Sequence, residues 1–222
     1  MTRLRIFFAA LHRDERGLAM LEFGFTLPIL LVIILFGVET ANMGISWMRV
    51  HQIAATSADN AARVRESIDE LDVNEVLLGG KIIGERMNFA TRGRIVISDV
   101  TSNGKTGSNA GLTILWQRCT GALNTTESQP KYGTQGAGAN NGTLQSMGTS
   151  PRQITPTNGS PMIFVEVTYR YRPIINAPFV GNFFGTPILR SEAAFTVRER
   201  SSETLDDGPN GTTDSVCTRY DL

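Results

Sequence analysis

Histidine and cysteine are scarce: the chain has two of each among 222 residues. His12 lies in the N-terminal stretch and His51 just past a long apolar run. Neither is expected to join a Ser-His-Asp or Cys-His site in the remainder of the chain. A zinc site built from the usual Cys and His ligands lacks residues. Excess charge is missing too. Twenty-one basic residues balance 21 acidic ones, which leaves no basic patch for a nucleic acid. The stretch Asn103–Ser108 (NGKTGS) has the end of a phosphate loop, but Asp99 stands where its first glycine is required. Paired carboxylates such as Asp206 and Asp207 read as solvated turn residues. No internal repeat occurs. These absences predict no enzyme active site, no cofactor or metal, and no small-molecule substrate.

What the chain does have is one long hydrophobic run. Residues 23–38 (FGFTLPILLVIILFGV) carry no charge, and extension back to Leu18 is interrupted only by Glu22. At ~1.5 Å per residue, residues 18–38 span about 31 Å, close to the ~30 Å hydrocarbon core of a bilayer. A buried core helix would be shorter. A cleaved secretory signal fits badly, because residues 6–11 (IFFAAL) are too few and lead into RDERG. Arg3, Arg5, Arg13 and Arg16 precede the run, and the first basic residue beyond it is Arg49. The positive-inside rule therefore predicts a cytoplasmic N-terminus, with everything after about residue 39 periplasmic or extracellular.

Past the membrane span, Met43, Trp47, Val50, Ala54, Ala58, Ala61, Val64, Ile68 and Leu71 recur at spacings of three and four. This stripe predicts that the helix continues to about Leu71, and Gly79-Gly80 marks the expected end of the helical region. Residues 94–101 and 111–118 read as strands joined by a turn-rich segment. Residues 161–172 alternate, with Ile163, Val165, Val167, Tyr169 and Tyr171 on one face and Glu166, Thr168, Arg170 and Arg172 on the other. Residues 189–199 alternate as well, with Ala193, Phe195 and Val197 inward. The expected fold is α+β: a long N-terminal helix, transmembrane then amphipathic, with a mainly antiparallel sheet that has one wet face. Residues 122–160, dominated by small and polar types, read as a long connector. The expected organisation is a basic leader 1–17, a membrane helix 18–39, an amphipathic helical region 40–80, an exported domain 81–200 and a polar tail 201–222. Cys119 and Cys217 both fall on the exported side, where a single pair normally forms a disulfide. Two unpaired buried thiols are the alternative.

Glu22 is the oddity, since a carboxylate within a span usually has a function or a partner. It lies five residues after Gly17, which ends the basic leader. Here the chain resembles a known family. Arg16–Glu39 (RGLAMLEFGFTLPILLVIILFGVE) is similar to the N-terminal segment of TadE-type proteins, pilin-like components of the Tad/Flp pilus system. Gly17, Leu18 and Glu22 fit the prepilin rule of a basic leader, a glycine, and a hydrophobic helix with glutamate at its fifth position. Glu22-Phe23, Pro28 and Gly37-Val38-Glu39 fit the narrower pattern. The match covers roughly residues 16–55.

The resemblance implies cleavage between Gly17 and Leu18 by a membrane-embedded prepilin peptidase. The new amine of Leu18 would neutralise Glu22, one turn away on the same helix face, within the chain or on the next subunit. Glu22, Phe23 and Pro28 would be assembly residues. The implied role is a minor pilin or pseudopilin of a bacterial inner membrane, single-pass, with incorporation in a pilus as a further implication. Its implied partners are the inner membrane, the peptidase, other pilins and Tad membrane assembly components. The competing reading is an uncleaved, membrane-anchored periplasmic binding or scaffold module with Glu22 merely interfacial. An exported enzyme using unidentified Asp, Glu or Ser residues is the third.

Overall fold

A computed structural model describes residues 17–156, 160–175, 178–198, 200–209 and 211–220. The leader, including His12, lies outside these residues, as do Asn158, Glu199 and Asn210. The chain divides into two compact units, Met1–Asn42 with Pro173–Gly185, and Met43–Arg172 with Thr186–Leu222. Residues 173–185, expected within the sheet domain, therefore cluster with the N-terminal segment instead.

One helix, α1, runs Leu18–Arg63 through 46 residues. Its first part belongs to the first unit. There it is long and apolar enough to cross a membrane, and no residue of that window is buried by protein. From Val50 onward its apolar stripe enters the core of the second unit, with Val50, Ile53, Ala54, Ala58 and Ala61 fully buried. Alanines here let the helix approach the sheet closely. Trp47, expected on the buried stripe, is instead exposed.

The helix stops at Arg63 rather than Leu71. Ile68 sits on a short strand, β1 (Glu66–Asp69), and Leu71 on a second helix, α2 (Glu70–Ile83). Two local features explain the break. Glu66 adopts φ +61°, a left-handed conformation that ends helical geometry. Asp69 and Asp72 then form a capping box, Asp69 Oδ1 accepting from the Asp72 N–H at 2.8 Å, which starts α2 afresh. Gly79-Gly80 does not end the helical region, since α2 continues to Ile83. Gly80 is needed for closeness: a Cβ there would stand 2.5 Å from Ile95 Cδ1 and 3.3 Å from Ile53 Cγ2.

After a single helical turn, α3 (Phe89–Arg92), come β2 (Gly93–Ser102), β3 (Leu112–Thr120), β4 (Met162–Arg170), α4 (Pro178–Phe184), β5 (Ile188–Thr196) and β6 (Arg200–Asp206). The four expected strands form one antiparallel sheet in the order β3-β2-β4-β5. The α+β expectation holds. Helices α1 and α2 cover one face, over Ile95, Ile97, Trp116, Ile163, Val165 and Val167.

The other face is not wet. Glu166 and Thr168, expected to face water, are buried. Leu144 and Met147, from the expected connector 122–160, form a second core with Val100, Leu112, Ile114, Met162 and Phe164. The connector is a covering layer with few regular hydrogen bonds and a thin supply of apolar side chains. The tail is likewise structured. β6 pairs in parallel with β1, and the Cys119 N–H donates to Ser215 O at 2.7 Å.

Candidate functional site

Helix α1 begins at Leu18, directly after Gly17. Among the described residues nothing lies within 4 Å of where a Cβ on Gly17 would stand. Leu18, Glu22 and Phe23 are exposed, and Leu18 and Glu22 are one turn apart. No hydrogen bond or ion pair reaches Glu22 among the described residues. Pro28 lies within the helix without breaking it, although it lacks the N–H that would bond back to Gly24. The residues singled out from sequence for processing and assembly thus occupy the opening turns of one exposed helix.

Cys119 and Cys217 form a disulfide with Cα atoms 4.7 Å apart, closing a sequence separation of 98. Arg94 works beside it. Its guanidinium is fully buried and donates to Gly121 O and Arg219 O at 3.0 Å each, and to Cys217 O at 2.5 Å. The Tyr220 ring lies 4.0 Å from its Cζ. Disulfide and arginine together bind the tail to the sheet.

In the first unit, Glu39 is fully buried. Its carboxylate accepts the backbone N–H of Ile174 at 3.2 Å and that of Ile175 at 3.0 Å. One turn earlier, the Phe36 ring packs edge-on to Phe183 with centroids 5.2 Å apart, and against Phe184 at 5.7 Å.

Besides Arg94, the second unit buries three acid–arginine pairs among the described residues, one of them Glu70 with Arg118. Asp99 and Arg200 pair at 3.2 Å with both side chains fully inaccessible. Arg200 also donates to Ala61 O at 2.8 Å, satisfying a carbonyl in the last turn of α1. Burial pushes Asp99 up to about 7 despite the opposing pull of Arg200. On the opposite sheet face Glu166 pairs with Arg190, which also holds Glu192 at 3.2 Å, and the Tyr132 hydroxyl donates to Glu192 at 2.9 Å. Burial raises Glu166 to about 7 against the pull of Arg190. Tyr132 is pushed up to about 12, first by burial, with the neighbouring carboxylates adding to it.

Beside this network, at the edge strand β5, lies a cavity of about 440 Å³ lined by Trp47, His51, Arg152, Arg190, Ser191 and Glu192 among others. His51 Nδ1 stands 3.1 Å from Ser191 Oγ, so His51 does reach the sheet, contrary to the expectation from its place in the chain. Among the described residues no carboxylate orients its other nitrogen, and a Ser–His contact without an orienting third group lacks the triad arrangement. No group of three or more His, Cys, Asp or Glu is placed to hold a metal among the described residues.

Compared with models of known protein families, with curated proteins and with solved structures, the chain matches none.

Sequence reasoning noted Glu39 only within the Gly37-Val38-Glu39 pattern and missed its contact with Ile174 and Ile175, and it missed Arg94, Arg200 and the Glu166–Arg190–Glu192 network. Glu166 carried a misleading signal, since alternation with Val165 and Val167 reads as a wet face. Asp99 carried a usable one, an acid inside the otherwise apolar strand 95–100.

Proposed function

We propose that this chain is a pilin-like, non-enzymatic subunit that is processed after Gly17 and acts in assembly of a Tad/Flp-type pilus through protein–protein contacts. The observation that carries the reading is Glu22: a carboxylate on an exposed apolar helix, one turn from Leu18 and without a partner among the described residues. Such a charge is costly in hydrocarbon and calls for a counter-charge. The new amine at Leu18, on this chain or on the next subunit, supplies one. Pairing between subunits would set the stagger of an open, head-to-tail filament. Prepilin peptidase, other pilins and Tad membrane components are the partners this requires. The inner membrane is its location before assembly, with the sheet domain on the periplasmic side.

The test is pilus assembly in cells carrying Glu22→Ala or Glu22→Gln in place of the wild type. Loss of pili with normal protein level and normal processing is the expected outcome. Full assembly with either variant would contradict it. A second reading, an anchored binding module, draws on the 440 Å³ cavity at β5. Binding lost on Arg152→Ala, in a chain that keeps residues 1–17, would favour that reading.

A further inference from the structure

The connection between β4 and β5 is an apolar excursion. From Pro173 to Leu189 the sequence has no charged residue, and Arg170 and Arg172 stand just before it. Its neck is closed by the Tyr171 N–H donating to Pro187 O at 2.9 Å. Within the first unit the excursion packs on α1 at Phe36 and Glu39. It buries Val180 but leaves Ile174 62% and Phe183 73% exposed. The helix residues of the same stretch, Ile33, Ile34 and Val38, are 63%, 49% and 47% exposed.

We infer that Ile174, Ile175 and α4 form a second membrane-contacting element, which lies in the boundary between headgroups and acyl chains where the Glu39 end of the span emerges. The occupant of the exposed face is lipid. Three observations carry this, on the reading that residues 18–38 span the bilayer. The first is continuity. Phe36 belongs to the apolar run, so rings stacked on it share its depth, about one turn (~5 Å) inside Glu39. The second is polar satisfaction. Backbone amides next to hydrocarbon must be paired, and the N–H groups of Ile174 and Ile175 are paired by Glu39, itself removed from solvent. The same two hydrogen bonds give the Glu39 carboxyl group donors where water is excluded. The third is composition. A short helix with Phe183 outward and no charge, preceded by Arg170 and Arg172, has the apolar body and cationic margin of an interfacial segment.

The experiment places a spin label in the full-length chain, reconstituted in phosphatidylethanolamine–phosphatidylglycerol vesicles. The Cys119–Cys217 bond leaves no other free thiol, so Phe183→Cys and, independently, Ile174→Cys label cleanly. Ile33→Cys and Ser201→Cys serve as references for lipid and water. Collisions with oxygen and with a water-soluble nickel chelate are then compared by power saturation. Both labels are expected to favour oxygen over nickel, as at Ile33 and the reverse of Ser201. Preference for nickel at 183 and 174, with Ile33 still favouring oxygen, would overturn the inference while leaving the span intact. Spin–spin broadening at 183 that vanishes on dilution with unlabelled protein would overturn it in favour of a second copy of this chain. Preference for nickel at Ile33 would remove the span, and this inference with it.

Discussion

The two units distribute apolar and charged groups in opposite ways. In the first, the large apolar side chains face outward, Met20 at 80% and Phe25 at 76% exposed, while Glu39 is fully buried. In the second, Val50, Ile97 and Val165 are fully buried, and buried charge is met by polar partners: Asp99 pairs with Arg200, Glu166 with Arg190 and Glu70 with Arg118, while Arg94 is held by backbone carbonyls. On the membrane reading proposed above, the exposed apolar groups of the first unit meet an apolar surrounding, and the change to a covered core falls near Asn42, inside a continuous helix. A helix boundary is consequently a poor guide to a domain boundary here.

The comparison can be broken most severely in the second unit. Cys217→Ser frees a loop closed over a sequence separation of 98, for which chain entropy gives ~4–5 kcal/mol. The urea midpoint of the sheet domain, measured on the detergent-solubilised full chain, should fall accordingly, and the segment 211–220 should become a protease site. Arg200→Ala comes next. It strands Asp99 in the interior and leaves Ala61 O unpaired, a loss of ~3–5 kcal/mol by the usual cost of breaking a buried pair. It is expected to fray the end of α1, seen as faster hydrogen exchange around residues 58–63.

In the first unit the sensitive change is the reverse one. On the proposed reading, Ile33→Asp places a charge on an exposed position of the span, at ~2.5–3.5 kcal/mol for insertion. It should lower the fraction of chain resistant to carbonate extraction without moving the unfolding of the sheet domain.

The smallest effect is a pH dependence. Glu166 has its pKa raised from 4.5 to about 7 by burial. The folded chain therefore binds more protons than the unfolded chain between those values. Its contribution to stability is complete below about pH 4.5 and is lost as pH rises through about 7, at no more than ~1.4 kcal/mol per pH unit. Glu166→Gln should flatten that slope, and an unchanged slope would show that Arg190 keeps the group ionised throughout.

How much of this was legible depends on the range of the interaction involved. The four sheet strands follow from alternation at Ile163, Val165 and Val167 and from the apolar runs before and after the turn at 103–110. The span follows from a run of residues with no charge. Both are local signals. The break at Arg63 is masked, because the helical spacing of Ile68 and Leu71 continues across it. What ends the helix is the backbone at Glu66 and the capping box at Asp69, with a guanidinium from residue 200 satisfying the carbonyl of Ala61. The covered second face was hidden for a similar reason. Leu144 and Met147 are sparse in a polar segment, and Glu166 becomes a buried residue only once Arg190 stands beside it. At the candidate site the same division holds. Gly17, Leu18 and Glu22 are a short motif, readable in one line, whereas the Glu39 clasp joins positions 135 residues apart.

The account turns on whether this helix starts at Leu18 in the mature protein. Intact and N-terminal mass spectrometry of the chain, expressed in membranes with and without a cognate prepilin peptidase, tests that most directly. A mature form beginning at Leu18 only when the peptidase is present, and abolished by Gly17→Ala, is the expected result. A chain that still begins at residue 1 under both conditions would contradict the pilin-like account and leave an anchored module.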